Sequence, residues 1–112
     1  MANPFKRPAS RYSRDALALL GHLIRQARIE KKLTTGELAE RASISRGLVQ
    51  RIEKGNPGCA IGAVFEAANI VGIRLFDAGQ STLDRAIGTN AAMLTLLPKA
   101  ARRPKIKAYD DF

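Results

Sequence analysis

Tryptophan is absent from this 112-residue chain, and histidine and cysteine occur once each, at His22 and Cys59. A single cysteine excludes an internal disulfide, and with it the small secreted scaffolds that depend on several. Cys59 lies between Gly58 and Ala60 with no partner at CxxC spacing, so it reads as a small buried residue and not as a redox or metal group. His22 has no second histidine to share a metal with, and no Ser/His/Asp set can be completed around it. Neither GxxxxGK[ST] nor GxGxxG occurs. Aromatic residues make up 5% of the chain, too few to line a small-molecule pocket well. No catalytic residue, metal site or cofactor is expected. The apolar runs fall far short of the roughly 20 residues a membrane-spanning helix needs. The opening MANPFKRP is basic but is not followed by the apolar core of a signal peptide. The expected location is the cytoplasm, alongside the nucleoid.

Positive charge is what the chain does have. Nineteen Lys and Arg against ten Asp and Glu give a formal net charge of +9, which favours polyanionic partners. Residues 1–14 hold four basic side chains (Lys6, Arg7, Arg11, Arg14) and no acid, whereas residues 15–79 hold nine basic and seven acidic ones. Residues 80–112 hold six basic and three acidic. Most of the excess therefore sits on the flanks of a nearly balanced domain, as in a folded reader with basic arms.

Periodicity divides the chain further. Residues 1–14, with two prolines and no repeat of apolar positions, read as a flexible basic arm. Leu17, Leu20, Ile24 and Ala27 share one face of a helix that starts near Asp15, capped by Ser13 or Asp15, and runs to about Lys32. Thr34 or Thr35 caps a second helix with Leu38, Ala39 and Ala42 inward; Ser45 caps a third with Leu48, Val49 and Ile52 inward, closed by Gly55. A fourth, from about Ile61, would turn Ile61, Val64, Phe65, Ala68 and Val71 inward and stop at Gly72. Ile73, Leu75 and Phe76 do not decide between strand, turn and helix. An amphipathic run near Thr82–Leu97, with Leu83, Ile87, Leu94 and Leu97 near one face, predicts an additional helix over 80–97, and 98–112 reads as a flexible basic tail ending in YDDF. The fold class is all-α.

Residues 35–54, TGELAERASISRGLVQRIEK, have the form of a helix-turn-helix: small Ala39 where the helices approach, a turn at Ser43 anchored by apolar Ile44, and polar side chains facing out from the second helix. Arg46, Gly47, Gln50, Arg51 and Lys54 fall outward or on the flank. Arg can donate twice to guanine O6 and N7, and Gln can pair with adenine N6 and N7. Ser45 and Thr35 stand at helix starts, where a hydroxyl and free backbone N–H groups can hold a phosphate oxygen.

The run IRQARIEKKLTTGELAERASISRGLVQRIEKG, followed by IGAVFEAANIVGIRLF, resembles the XRE family of helix-turn-helix proteins, related to phage Cro and repressor proteins, over roughly residues 20–76. The resemblance implies a five-helix, lambda-repressor-like domain that binds a palindromic double-stranded operator as a homodimer. It implies a phosphate contact at Thr35, base-facing positions at Arg46, Gly47 and Arg51 with Ser45 and Gln50 beside them, and an inward Arg28–Glu53 salt bridge. Gly47 departs from the pattern: it can make no side-chain hydrogen bond, so either Arg46 and Arg51 carry more of the readout or Gly47 permits close approach to a thymine methyl.

The segment GCAIGAVFEAANIVGIRLF, a helix after it, LLPKAARRPKIK and the terminal YDDF resemble the HipB-like antitoxins of HipA-type kinase toxins. That resemblance implies autorepression of a toxin–antitoxin operon and binding of the kinase. Tyr109, Asp110, Asp111 and Phe112 form a candidate partner-binding motif, two aromatic anchors flanking two carboxylates. Two further readings stay open: a free-standing XRE regulator without a toxin, and a helical protein-interaction module whose basic flanks are solubilising. A membrane-surface helix fits less well, since no helix is both strongly basic on one face and rich in large apolar residues on the other.

Overall fold

The computed structural model describes residues 10–101. Five α-helices and, among the described residues, no strand follow one another: α1 Arg11–Glu30, α2 Thr35–Ala42, α3 Arg46–Glu53, α4 Ile61–Ile70 and α5 Gln80–Thr95. They fall into two compact units, one ending at Asp77 with α1–α4 and one beginning at Ala78 with α5.

Hydroxyl caps set three of the helix starts. Ser10 caps α1, its Oγ accepting from the Ser13 N–H at 3.1 Å. The expected start at Asp15 is therefore too late, and Arg11–Arg14, assigned to the arm, form the first turn of α1. Nothing between Ser10 and Asp15 breaks a helix, and Ser10 is the hydroxyl that has the extended backbone a cap needs. Thr34, not Thr35, caps α2 through a reciprocal box: the Glu37 N–H donates to Thr34 Oγ1 at 3.0 Å and the Thr34 N–H donates to Glu37 Oε1 at 2.8 Å. Ser45 caps α3, accepting from the Leu48 N–H at 3.0 Å.

At its other end α1 stops at Glu30, two residues before the expected limit. Lys32 takes the left-handed conformation (φ 60°), and its N–H and that of Leu33 donate back to Ile29 and Arg28 carbonyls. A lysine in the place glycine usually fills gives no compositional warning of the stop. Gly55 (φ 75°) and Gly72 (φ 89°) follow α3 and α4 in the ordinary way.

The core of the first unit is Ile24, Leu38 and Val49, fully buried, with Ala39, Ile52, Ala67, Ala68 and Val71 around them. Leu20, Ala27, Ile44 and Leu48 pack half-buried on this cluster, as do Ile73 and Leu75 from the irregular segment after α4. The expected inward face of α4 is partly wrong. Ala67, Ala68 and Val71 are buried, but Ile61 is 73% exposed and Phe65 39% exposed. Small side chains let α4 lie close to α2, and that turns the larger Ile61 and Phe65 away. Phe65 stacks instead on Phe76, with ring centroids 6.1 Å apart.

The approach of α1 to α3 rests on bare backbone. A Cβ on Gly21 would lie 2.6 Å from the carbonyl oxygens of both Ile52 and Glu53, and one on Gly55 would lie 2.9 Å from Ala18 Cα. No side chain fits at either place without moving one helix off the other.

In the second unit α5 buries no residue. Leu83 is half-buried, while Ile87, Leu94 and Leu97 are exposed.

Candidate nucleic-acid interface

The turn between α2 and α3 is three residues long. Ser43 adopts φ 57°, ψ 42° and closes α2 by donating its N–H toward the Ala39 and Glu40 carbonyls. The Ile44 N–H also reaches the Ala39 carbonyl, at 3.0 Å, and the Ile44 side chain packs on the core. Ser45 then opens α3. The left-handed residue reverses the chain quickly enough for α3 to pack against α2 through Ala39 and Val49.

Burial of Val49 and Ile52 with half-burial of Leu48 orients α3. Helical spacing then leaves Arg46, Gln50, Arg51 and Lys54 exposed and Gly47 half-buried on the opposite side. This face carries three cations and an amide but no carboxylate. Ser45 Oγ is occupied as an acceptor by the cap, which leaves its hydroxyl proton to donate outward. At Gly47 an added Cβ would meet only Arg51 Nη1 at 3.6 Å and Ser45 Oγ at 4.0 Å, ordinary contacts. Packing within the protein thus does not demand glycine there.

Arg28 and Glu53 meet below this face. Arg28 Nε donates to Glu53 Oε2 at 2.7 Å and Nη2 donates to Oε1 at 3.1 Å, a bidentate pair. Nη1 donates to the Leu33 carbonyl at 2.9 Å, so one buried guanidinium ties α1 to both the α1–α2 link and the end of α3. Among the described residues no buried side-chain nitrogen or oxygen lacks a partner. A complete network of this kind fixes an arrangement more than it adds net stability.

Beside the pair opens a shallow cleft of about 270 Å³ lined by Arg25, Arg28, Thr35, Gln50, Glu53 and Lys54. Thr35, the first residue of α2, sits there with exposed Arg25 and Lys54. Arg25 was not singled out from the sequence, where it simply lies off the apolar stripe of α1. The available signal was its place three residues before Arg28, on the side of α1 that meets α3. Gly21 was also missed, although a glycine inside a strongly amphipathic helix is itself a sign of close approach.

Cys59 packs half-buried against the core. Burial pushes its thiol above the ordinary value, while the neighbouring Arg51 guanidinium works the other way. Tyr109, Asp110, Asp111 and Phe112 lie outside the described residues, as does the basic run after Ala101. No group of three or more His, Cys, Asp or Glu gathers for a metal among the described residues, and no helix there is long and apolar enough to cross a membrane.

Residues 19–73 match the family model described as a helix-turn-helix domain. No curated protein matches the chain. The matched segment begins within α1 and ends just after α4, so it takes in the turn, the outward face of α3 and the Arg28–Glu53 pair. The fold is the all-α, lambda-repressor-like one, and residues 19–73 are similar to a helix-turn-helix domain, the kind of domain through which regulators bind DNA.

Proposed function

We propose that this protein is a sequence-specific transcriptional repressor of the XRE/Cro type that lays α3 in the major groove of a palindromic operator, bound as a homodimer. The observation that carries this reading is the outward face of α3. Arg46, Gln50, Arg51 and Lys54 are exposed together on a helix held from behind by Val49, Ile52 and the buried Arg28–Glu53 pair. Arg46 and Arg51 read guanine edges and Gln50 an adenine edge. Thr35, Ser45 and Lys54 hold phosphates and set the register of the domain on the duplex. Gly47 brings the helix backbone close to the base pairs, where a thymine methyl packs against it.

Arg51→Ala tests the assignment. With the fold intact, it is expected to weaken operator binding by about 1–3 kcal/mol and to relax specificity at one base pair. A mobility-shift titration that finds unchanged affinity and specificity removes α3 as the reader.

The HipB-like sequence features extend the reading to an antitoxin that represses its own operon and binds a HipA-like kinase through the C-terminal Tyr109–Phe112 segment. Co-purification with the kinase encoded by a neighbouring gene, with and without residues 108–112, tests this. Equal retention by the truncated chain removes the tail as anchor. Absence of any such neighbour favours the free-standing regulator.

A further inference from the structure

The segment similar to a helix-turn-helix domain begins at residue 19, yet α1 begins at Arg11, two turns earlier. The first of those turns carries Arg11 and Arg14 and no acidic residue, at the end of a helix that favours carboxylates. Local helix stability therefore does not account for the two arginines. Ser10 caps the turn, so both stand on regular helix and its geometry sets their direction.

Arg14 and Arg25 are eleven residues apart, about three turns, which places them within about 20° of one line along α1 and about 16 Å apart. That line runs between Ala18 and Gly21, the residues through which α1 crosses the end of α3. Gly21 lies against the Ile52 and Glu53 carbonyls, and Ala18 against Gly55. Each arginine stands four residues beyond the crossing, one on either side, and both are exposed. Arg25 shares its cleft with Thr35, Gln50 and Lys54. Arg11 lies about 60° round the helix from Arg14, its Nε 3.6 Å from an Asp15 carboxylate oxygen. The end of α3 is thus bracketed by Arg14, Lys54 and Arg25.

A helix of eight residues is about 12 Å long, and the major groove is about 12 Å wide. With α3 in the groove, its Lys54 end meets the phosphates that border it. We propose that Arg14 and Arg25 form a pair of phosphate contacts on that bordering strand, with α1 as the rigid bar that sets their spacing. Their ligand is the phosphodiester backbone of DNA, and base identity is not read there. This rests on the DNA-binding reading of α3 and adds a second contact surface on a different helix. Holding the strand on both sides of the crossing opposes tilting of the domain about the end of α3. The pair therefore fixes the angle at which α3 enters the groove, which the same charge on an irregular arm would not do.

The probe is a duplex selected by the unsubstituted chain from a random pool. Arg14→Gln and Arg25→Gln are each expected to weaken binding roughly three- to tenfold at about 0.15 M salt, on selected and scrambled duplexes alike. Each should lower the slope of log affinity against log salt by about one. Single methylphosphonate linkages, which remove one phosphate charge at a time, then locate the contacts. One position should weaken the unsubstituted chain but leave Arg14→Gln unaffected, and a second on the same strand should do so for Arg25→Gln. Arg11→Gln, off the line, should change affinity by less than about twofold. Amide protection at Ile24 and Val49 reports that each variant is folded. Unchanged slopes, no phosphate coupled to Arg14, or equal losses from Arg11→Gln and Arg14→Gln would each overturn the proposal. Those outcomes leave α3 as the reader if Arg51→Ala still relaxes specificity. Failure of the unsubstituted chain to select any sequence removes the DNA-binding reading, and this proposal with it.

Discussion

Gly21 and Gly47 are both helical glycines, and they should answer to the same substitution with opposite signs. Gly21 faces two carbonyl oxygens at a distance no real Cβ tolerates. Gly21→Ala is expected to cost about 1–3 kcal/mol through forced separation of α1 from α3, even though alanine is the better helix former. A urea midpoint equal to or above that of the unsubstituted protein would show that the seam relaxes freely. Gly47 has room, so Gly47→Ala is expected to stabilise the fold by about 0.5–1 kcal/mol. The same change should weaken operator binding if α3 approaches the bases through its backbone there. Stability and affinity moving together would rule out that role for Gly47. The contrast shows what could be read beforehand. That α3 presents Arg46, Gln50 and Arg51 outward follows from the spacing of Val49 and Ile52. That glycine is compulsory at 21 and optional at 47 depends on which backbone atoms lie across from it, and no local pattern records that.

At the scale of helices, what could be read depended on whether the residue at each boundary had a signature. The capping hydroxyls and the glycines at 55 and 72 did, so α2, α3 and α4 fall close to their expected limits. Lys32 in the left-handed region carries none, nor does the large residue that ends up outside: α4 presents two possible apolar faces, and the small one won because it fits against α2. The box at the start of α2 makes a further prediction. The Glu37 carboxyl is held below its ordinary range, first by the Thr34 backbone N–H, then by the Thr34 hydroxyl, with Arg41 adding slightly and desolvation opposing. Because the folded value is the lower one, the stabilisation is fully present above the ordinary carboxylate range and is lost as pH falls through the folded value. Thermal melts from neutral to acid pH should therefore show a decline on the acid side that Glu37→Gln reduces. Identical acid limbs would mean the box does not titrate with folding.

Taken as a whole, a chain that binds DNA as proposed separates long-range attraction from recognition. Its formal charge of +9 attracts a duplex, but Arg11 and Arg14, expected in an arm, stand on the first turn of α1, and further cations lie in the C-terminal tail. Neutralising Lys99, Arg102, Arg103, Lys105 and Lys107 is expected to weaken binding to all sequences alike and to flatten the dependence of log affinity on log salt. An unaltered slope would mean the tail does not touch DNA. The middle of the chain is nearly neutral, so in the proposed complex discrimination falls to a few side chains. Those side chains are supported from below by a seam of backbone against backbone and by one buried ion pair, and the fold asks little of them in return. Arg46 and Gln50 can then be exchanged for other residues at small cost to folding. In the proposed complex, operator preference would be free to drift along a lineage one side chain at a time, while Gly21, Gly55, Arg28 and Glu53 hold the frame against which each new reader is tried.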